Sequence, residues 1–193
     1  MPRIEADTVA EHRARQHEAL LEAAEAVLVE RGHEGLTFAA LGERTGLARN
    51  SVYRYFSSRE DIVAQVLERP LPGWLERLRD AMARADGLDG QVAAFVGAQL
   101  QLVAGVRPEL AGALAQSPFS PELRSRLSAM TFQPAVLLEE ALVAAGHPHA
   151  AVTAQLAQGI VNAAVRVLHQ SGAPLDEVTA IAVATVQRAV EAH

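Results

Sequence analysis

Apolar residues recur every three or four positions along most of the chain, which is the period of an amphipathic helix. The first such stretch covers about 11–31 and stops at Gly32. Proline near helix starts and glycine after helix ends divide the remainder into further helical segments. The pattern predicts an all-α protein of about nine helices. The later ones are expected at 74–83, 89–106, 108–116, 121–145, 149–170 and 174–192.

Two short helices joined by a glycine are expected after the first helix. Thr37 is the predicted N-cap of the first short helix, and Gly46 is placed to form the turn. The second should cover about 48–55, and a capping box of Ser57 and Glu60 should start the helix that follows. This arrangement predicts a helix-turn-helix, a motif whose second helix enters the major groove of DNA.

Helical phase separates the side chains of the second short helix into an inner and an outer set. At about 100° per residue, Ala48, Val52 and Phe56 face the core. The outer set consists of Asn50 and Arg54, which point directly away, Ser51 and Tyr53 on the flanks, and Arg49 at the N-terminal edge. Arginine and asparagine can pair with base edges, and hydroxyls can donate to phosphate. The predicted DNA contacts are Thr37, Arg49, Asn50, Ser51, Tyr53, Arg54, Tyr55 and Arg59. Gly42 should let the two short helices approach each other closely.

The charge of the chain restricts any DNA contact to a local surface. All 17 basic residues are arginine, against 23 acidic residues, and the formal net charge is −6. Between Thr37 and Arg59, however, four arginines stand against one glutamate, which makes this segment +3. Phosphate attraction acts over a Debye length of about 8–10 Å, so any DNA contact must use such a local concentration of positive charge. The pattern alone fits DNA binding or an ordinary solvated surface equally well.

The segment from Arg15 to Leu67 resembles the N-terminal domain of the tetracycline-repressor (TetR) family of bacterial transcription regulators. The matching positions are Ala23, Ala24, Gly32, Thr37, Gly46, Leu47, the run Val52-Tyr53-Arg54-Tyr55-Phe56, and Glu60-Asp61-Ile62. The family usually has Ile-Ala where this chain has Leu41-Gly42, and lysine where it has Arg59. The resemblance covers about a quarter of the chain.

The resemblance implies a homodimer that binds palindromic operator DNA, usually as a repressor, and releases it when a small molecule binds. It implies a DNA-binding domain over 1–57 and a regulatory domain over 58–193 for ligand binding and dimerisation. The last two long helices would pair with those of a second copy, and the helix from Ser58 would link the two domains. Two-fold symmetry would place the recognition helices about one DNA turn, ~34–36 Å, or somewhat more apart.

Candidates for the ligand pocket are large apolar side chains and isolated polar ones on apolar helix faces. They are Trp74, Phe95, Gln99, Phe119, Met130, Phe132, Asn162 and Arg166. Each has a plain alternative: the aromatic residues would be ordinary core, and Gln99 would bond a neighbouring helix backbone. Pro134 lies inside a predicted helix, where it would either kink the helix or separate two helices. The scarcity of buried charge favours an apolar or aromatic ligand.

Other classes of protein find little support in the sequence. There is no cysteine, no HExxH, no G-x-S-x-G and no phosphate-binding glycine loop, so we expect neither an enzyme nor a cofactor. His147 and His149 flank Pro148 without a third ligand nearby, so we expect no metal there. The charged start and the apparent lack of a 20-residue apolar run predict a soluble cytoplasmic protein without a membrane segment. The competing interpretation is a helical small-molecule-binding or adaptor protein without operator binding.

Overall fold

The computed structural model describes residues 3–104 and 118–191, with side chains from residue 9 onward. It divides into two compact units. The first contains residues 1–70 and 107–125, and the second contains residues 71–106 and 126–193. The described residues are mostly helical and contain no strand, as predicted.

The first unit is built around one long helix and three short ones. These are α1 (Arg3–Gly35), α2 (Phe38–Thr45), α3 (Arg49–Val52) and α4 (Arg59–Glu68). Helix α1 packs against both α2 and α4, and α2 packs against α3. The core of the first unit consists of fully buried aliphatic side chains and one phenylalanine. The largest are Leu20, Leu28, Leu36, Leu41, Phe56 and Ile62.

The second unit is a bundle of longer helices. These are α5 (Leu71–Ala83), α6 (Gly87–Ala104), α8 (Ala135–Ala144), α9 (Ala150–Ser171) and α10 (Leu175–Glu191). One more helix, α7 (Pro121–Phe132), begins in the first unit and ends in the second. Helix α6 packs against α5, α8, α9 and α10, and its Phe95 and Val96 are fully buried.

Two glycines define the geometry of the helix-turn-helix. Gly46 ends α2 in the left-handed region, with φ 72°, a conformation that glycine adopts without steric cost. At Gly42 the chain passes so close that an added Cβ would lie 2.6 Å from the carbonyl oxygen of Leu47. The predicted close approach at Gly42 is therefore confirmed.

Several predicted boundaries change in the structure. Helix α1 begins at Arg3, earlier than predicted, and the assigned helix continues to Gly35 across a kink at Gly32, where φ is 67°. Pro134 separates α7 from α8 and does not kink one continuous helix. Helix α4 lies entirely in the first unit, and among the described helices it is α7 that belongs to both units. The predicted helix at 108–116 lies outside the described residues. The functional division after residue 57 stays a prediction.

Two helical stretches are long and apolar enough to cross a bilayer by composition, namely Pro121–Ala144 and Ala150–Ser171. This corrects the expectation that no apolar run of such length exists. The first stretch is broken at Pro134, and the second carries the buried amide of Gln158. Core helices of soluble proteins pass the same length and composition test, so the finding is weak evidence for a membrane segment.

Replacing Gly42 with alanine should destabilise the protein by about 1–3 kcal/mol, because the new methyl group would overlap a backbone carbonyl that cannot rotate away. Urea denaturation measures the change. Gly97→Ala is the matched control, since its Cβ would meet only Thr179 Cγ2, at 4.0 Å, within a helix. We expect the control to be neutral or slightly stabilising. Equal midpoints for Gly42→Ala and the wild type would contradict this interpretation of the turn.

Candidate nucleic-acid interface

Helix α3 is only four residues long and is attached to the core by apolar side chains at its end. Val52 and Phe56 are buried, with exposures of 0% and 1%. The prediction for Ala48 is wrong: it is exposed, because the helix begins at Arg49 and Ala48 is its extended N-cap. After Val52 the chain continues in turns, with Arg54 N–H donating to Ser51 O at 3.2 Å.

The predicted outer set does face solvent. Arg49, Asn50, Tyr53 and Arg54 are exposed, and Ser51 is half-buried. An anchored inner face and an exposed polar outer face are what a DNA-reading helix requires.

Tyr53 is immobilised by its neighbours although its side chain is 46% exposed. Its ring stacks on that of Phe38 from α2, with centroids 4.1 Å apart and planes 11° from parallel. The guanidinium of Arg49 lies over the Tyr53 ring, 5.7 Å from its centroid, and its Nη2 donates to Tyr53 Oη at 3.1 Å. The stack orders the arginine and the phenol before any partner arrives, which lowers the entropic cost of binding.

The start of α2 forms a second element of the same surface. Thr37 caps the helix, its Oγ1 accepting from Ala40 N–H at 3.0 Å. The other first-turn N–H groups have no intrahelical acceptor, as at any helix start. A depression of about 510 Å³ lies here, lined by Leu36, Thr37, Phe38, Ala39, Arg49 and Arg59. Arg49 and Arg59 thus line the same depression as the start of α2, and helix starts and arginines are both groups that bind phosphate.

The four arginines of the basic segment between Thr37 and Arg59 differ in their partners. Arg44 forms a two-pronged ion pair with Glu30 of α1, at 2.7 and 2.8 Å, so it is neutralised. Within the described parts of the chain, no ion pair with a carboxylate involves Arg49, Arg54 or Arg59. These three exposed cations therefore carry the positive charge of the predicted contact surface.

Tyr55 turns inward, unlike Tyr53. Its hydroxyl donates to Gln16 Oε1 of α1 at 2.8 Å, and its ring stacks on His17, with centroids 5.9 Å apart. Arg13 lies over the same ring at 5.9 Å. Sequence analysis missed these α1 residues, although the spacing of Arg13 and Gln16 would place them on one helix face. Because the hydroxyl proton of Tyr55 is already committed, this residue positions α1 beside the turn that follows α3.

The capping of α4 differs by one residue from the prediction. Ser58 is the N-cap, and its Oγ accepts from Asp61 N–H at 3.0 Å. Asp61 in turn accepts from Ser57 N–H at 2.9 Å, so the predicted pair of Ser57 and Glu60 is wrong. The reason is that α4 begins at Arg59, which makes Asp61 the third helical residue. Glu60 is left available for another partner.

That partner is Ser120, at the start of α7. Glu60 accepts from the Ser120 backbone N–H at 2.7 Å and from its hydroxyl at 2.5 Å, and these bonds lower the pKa of Glu60. His33 lies beside the pair, with its ring edge-on to Phe119 at 5.7 Å. Burial and the nearby Arg59 lower the pKa of His33. The start of α7 is therefore bound to Glu60, the residue that follows Arg59.

The predicted pocket residues separate between the two units. Phe119 belongs to the first unit, whereas the other seven lie in the second. There Phe95 and Gln99 are buried, Trp74, Met130 and Asn162 are half-buried, and Phe132 and Arg166 are exposed. Gln99 bonds the carbonyl of Phe95 in its own helix and also accepts from Gln158. Among residues 3–104 and 118–191, no three His, Asp or Glu side chains group as metal ligands would.

Comparison with known proteins supports the DNA-binding interpretation of the first unit. Residues 20–66 match the family model described as bacterial regulatory proteins, tetR family. A curated relative, the HTH-type transcriptional regulator YfiR of Bacillus subtilis (strain 168), is 35% identical over 68 residues. The match covers 35% of this chain and only 33% of that relative. The resemblance found in the sequence is thereby confirmed.

Solved structures share the fold over nearly the whole chain. FadR of Bacillus subtilis, in complex with stearoyl-CoA, has a TM-score of 0.65 at 17% identity and covers 90% of this chain and 97% of its own. Escherichia coli NemR in its reduced form has a TM-score of 0.64 at 22% identity, covering 90% and 96%. At such identities the likeness establishes the fold alone.

Replacing Glu60 with glutamine should flatten the dependence of stability on acid. The pKa of Glu60 is lower in the folded protein, so its contribution is present at neutral pH and is lost as the pH falls through the acid range. Urea unfolding across that range should show Glu60→Gln less stable than the wild type at pH ~7, with a difference that shrinks in acid.

Glu43→Gln, an exposed substitution on α2, is the control and should keep the wild-type dependence on pH. Parallel curves for Glu60→Gln and the wild type would count against the Glu60–Ser120 contact in solution.

Proposed function

We propose that this protein is a DNA-binding transcriptional regulator of the bacterial cytoplasm. Its N-terminal segment, residues 20–66, matches the tetR family of bacterial regulatory proteins. The observation that carries the proposal is that Arg49 and Arg59 line one depression together with the capped start of α2. That site suits a backbone phosphate, and the exposed face of α3 lies next to it. An adaptor protein without operator binding would have no use for this arrangement.

The roles of the side chains follow from their chemistry. Thr37, Arg49, Arg59 and the N–H groups that begin α2 hold phosphates on either side of the groove. Asn50 and Arg54 are exposed, and each has a geometry that pairs bidentately with a base, adenine and guanine respectively. The stacked hydroxyl of Tyr53 donates to a further phosphate. Ser51 lies at the edge of this surface, and Tyr55 supports it from within.

Homodimerisation rests on apolar side chains left uncovered on the last two long helices. On α9, Val152 and Leu156 are 62% and 63% exposed, and on α10 Ile181 is 61% exposed. A second copy of the chain is the occupant that the family suggests, and a two-fold interface presents two recognition helices to a palindromic operator.

The second unit then serves as the regulatory part. We propose that a small molecule binds there, with Trp74, Phe95, Gln99 and Asn162 among its surroundings, and that it releases the operator. Binding changes DNA affinity only if the ligand prefers the conformation that does not bind DNA. The protein therefore acts as a repressor without its ligand. In this scheme the DNA-binding domain is 1–57 and the regulatory domain is 58–193.

Selection of bound DNA from a random duplex pool, followed by a salt titration of the best sequence, tests the proposal. A palindromic consensus and a steep loss of affinity with salt are expected, since neutralised phosphates release counterions. Arg59→Ala should reduce the salt slope by about one unit without changing the consensus. If no sequence is enriched at low salt, the adaptor interpretation replaces the regulator.

Asn50→Ala should relax the base preference at one position in each half-site, at a cost of about 1–3 kcal/mol, because Asn50 is proposed to pair with a base. Tyr53→Phe should weaken binding evenly across sequences by about 0.5–1.5 kcal/mol, because it removes a phosphate contact. Repeating the selection with each variant separates the two effects. An unchanged consensus for Asn50→Ala would exclude base recognition by that residue.

Leu156→Glu should dissociate the dimer, because a carboxylate would be buried twice in a two-fold interface. The expected rise in dimer Kd, measured by analytical ultracentrifugation, is about tenfold or more. Val143→Glu on α8, at an equally exposed position of 62%, is the matched control and should leave the dimer intact. A wild-type Kd for Leu156→Glu would place the interface elsewhere.

A further inference from the structure

The second unit contains a chain of hydrogen-bonded amides inside an apolar core. We call it the amide chain: Gln99 of α6 with Gln158 and Asn162 of α9. Gln158 Nε2 donates to Gln99 Oε1 at 2.9 Å and to Asn162 Oδ1 at 3.1 Å. Asn162 Nδ2 donates to Thr131 Oγ1 of α7 at 3.4 Å. The chain leads from the exposed Thr131 through the half-buried Asn162 to the buried glutamines.

The direction of every bond in the amide chain is determined by one backbone group. Gln99 Nε2 donates to the carbonyl oxygen of Phe95 at 3.0 Å, and a carbonyl oxygen can only accept. The oxygen of Gln99 must therefore face Gln158, which requires Gln158 to present its nitrogen there. Turning the Gln158 amide around would place its oxygen against two other oxygens. The network therefore permits one assignment of amide orientation.

This assignment leaves one hydrogen-bonding position open. Both N–H groups of Gln158 are used, but its Oε1 has no partner among the described residues. The side chain is 1% exposed, so bulk water does not satisfy it. A buried acceptor without a donor is rare in native proteins, because the group has lost its water without replacement. The open position is an acceptor, and only a hydrogen-bond donor can fill it.

We propose that Gln158 Oε1 anchors the effector, and that the effector is a neutral, largely apolar molecule with a hydroxyl or N–H group. The proposal rests on the regulatory role assigned above to the second unit, and it adds the chemical class of the ligand. The apolar body would lie against the core of the second unit, whose members include Phe95, Leu100, Leu138 and Val161. The donor at its end would complete the amide chain.

The surroundings exclude charged donors and charged acceptors alike. In the described part of the chain, the buried polar side chains are Gln99, Thr153 and Gln158, all of them neutral. An ammonium group would be buried without a carboxylate, at a large desolvation cost. A carboxylate would meet the lone pairs of Gln158 Oε1, and none of the described residues is a buried cation that could compensate. Arg166, also on α9, is exposed.

Matched probes test the donor requirement on the purified wild-type protein without DNA. Decanol is compared with methyl decyl ether and decanoate, and naphthol with methoxynaphthalene, by isothermal titration calorimetry. We expect at least one alcohol to bind about tenfold or more tightly than its ether, because only the alcohol donates to the open oxygen. Decanoate should bind more weakly than decanol. Equal binding of alcohols and ethers, or no binding of any probe, overturns the proposal, as expected if a resident water occupies the acceptor.

Gln158→Met keeps the volume and removes the acceptor, so the preference for the alcohol should disappear. Gln155→Met, an exposed position one turn away on α9, should keep the preference. Retention of the preference in Gln158→Met overturns the assignment to this oxygen. Should Gln158→Met fail to fold, the comparison of alcohol with ether in the wild type decides alone.

The regulatory role is measured separately, by adding the bound alcohol to the protein–operator complex. Release of DNA supports both proposals. If the alcohol binds with the expected preference but DNA stays bound, the ligand class stands and the release step of the proposed function is wrong. If the protein does not bind an operator at all, the proposed function as a DNA-binding regulator is wrong. The calorimetric result for Gln158 is unaffected by that outcome.

Discussion

The burial of Val52 and Phe56 is the constraint on which the proposed DNA-binding surface depends. A helix of four residues has no stability of its own, since forming a single turn costs more than its hydrogen bonds return. Helix α3 therefore takes its position from tertiary packing. Once these two side chains are inside, Asn50 and Arg54 must be outside. The close approach at Gly42 then sets the distance between α2 and the turn before α3.

Electrostatic pairing within the first unit determines which cations remain available. Arg44 is neutralised by Glu30, whereas Arg49 is ordered by Tyr53, a neutral partner. The acidic chain thus concentrates a few unpaired arginines on one surface, and screening limits the repulsion from distant carboxylates to about a Debye length. Arg59, at the start of α4, lies near His33 and helps to lower the pKa of that histidine.

Polar groups in the second unit serve a different purpose. The core is otherwise apolar, so each amide in it must form hydrogen bonds. The Phe95 carbonyl determines which way the Gln99 amide faces, and Gln99 in turn determines which way the Gln158 amide faces. Apolar packing alone would accept many ligand shapes. A single open acceptor adds a directional requirement, which distinguishes a donor from an isosteric molecule that lacks one.

Helical period, glycine positions and the run of residues from Val52 to Phe56 were sufficient to predict the all-α fold, the turn at Gly46 and the exposed face of α3. These features depend on neighbours within a few residues, so the sequence by itself determined them. It could not determine which side chains far apart in the chain meet. The pairing of Glu60 with Ser120, of Tyr55 with Gln16, and of Gln158 with Gln99 joins residues 39 to 60 positions apart. Only tertiary structure decided these, because they arise from how whole helices pack.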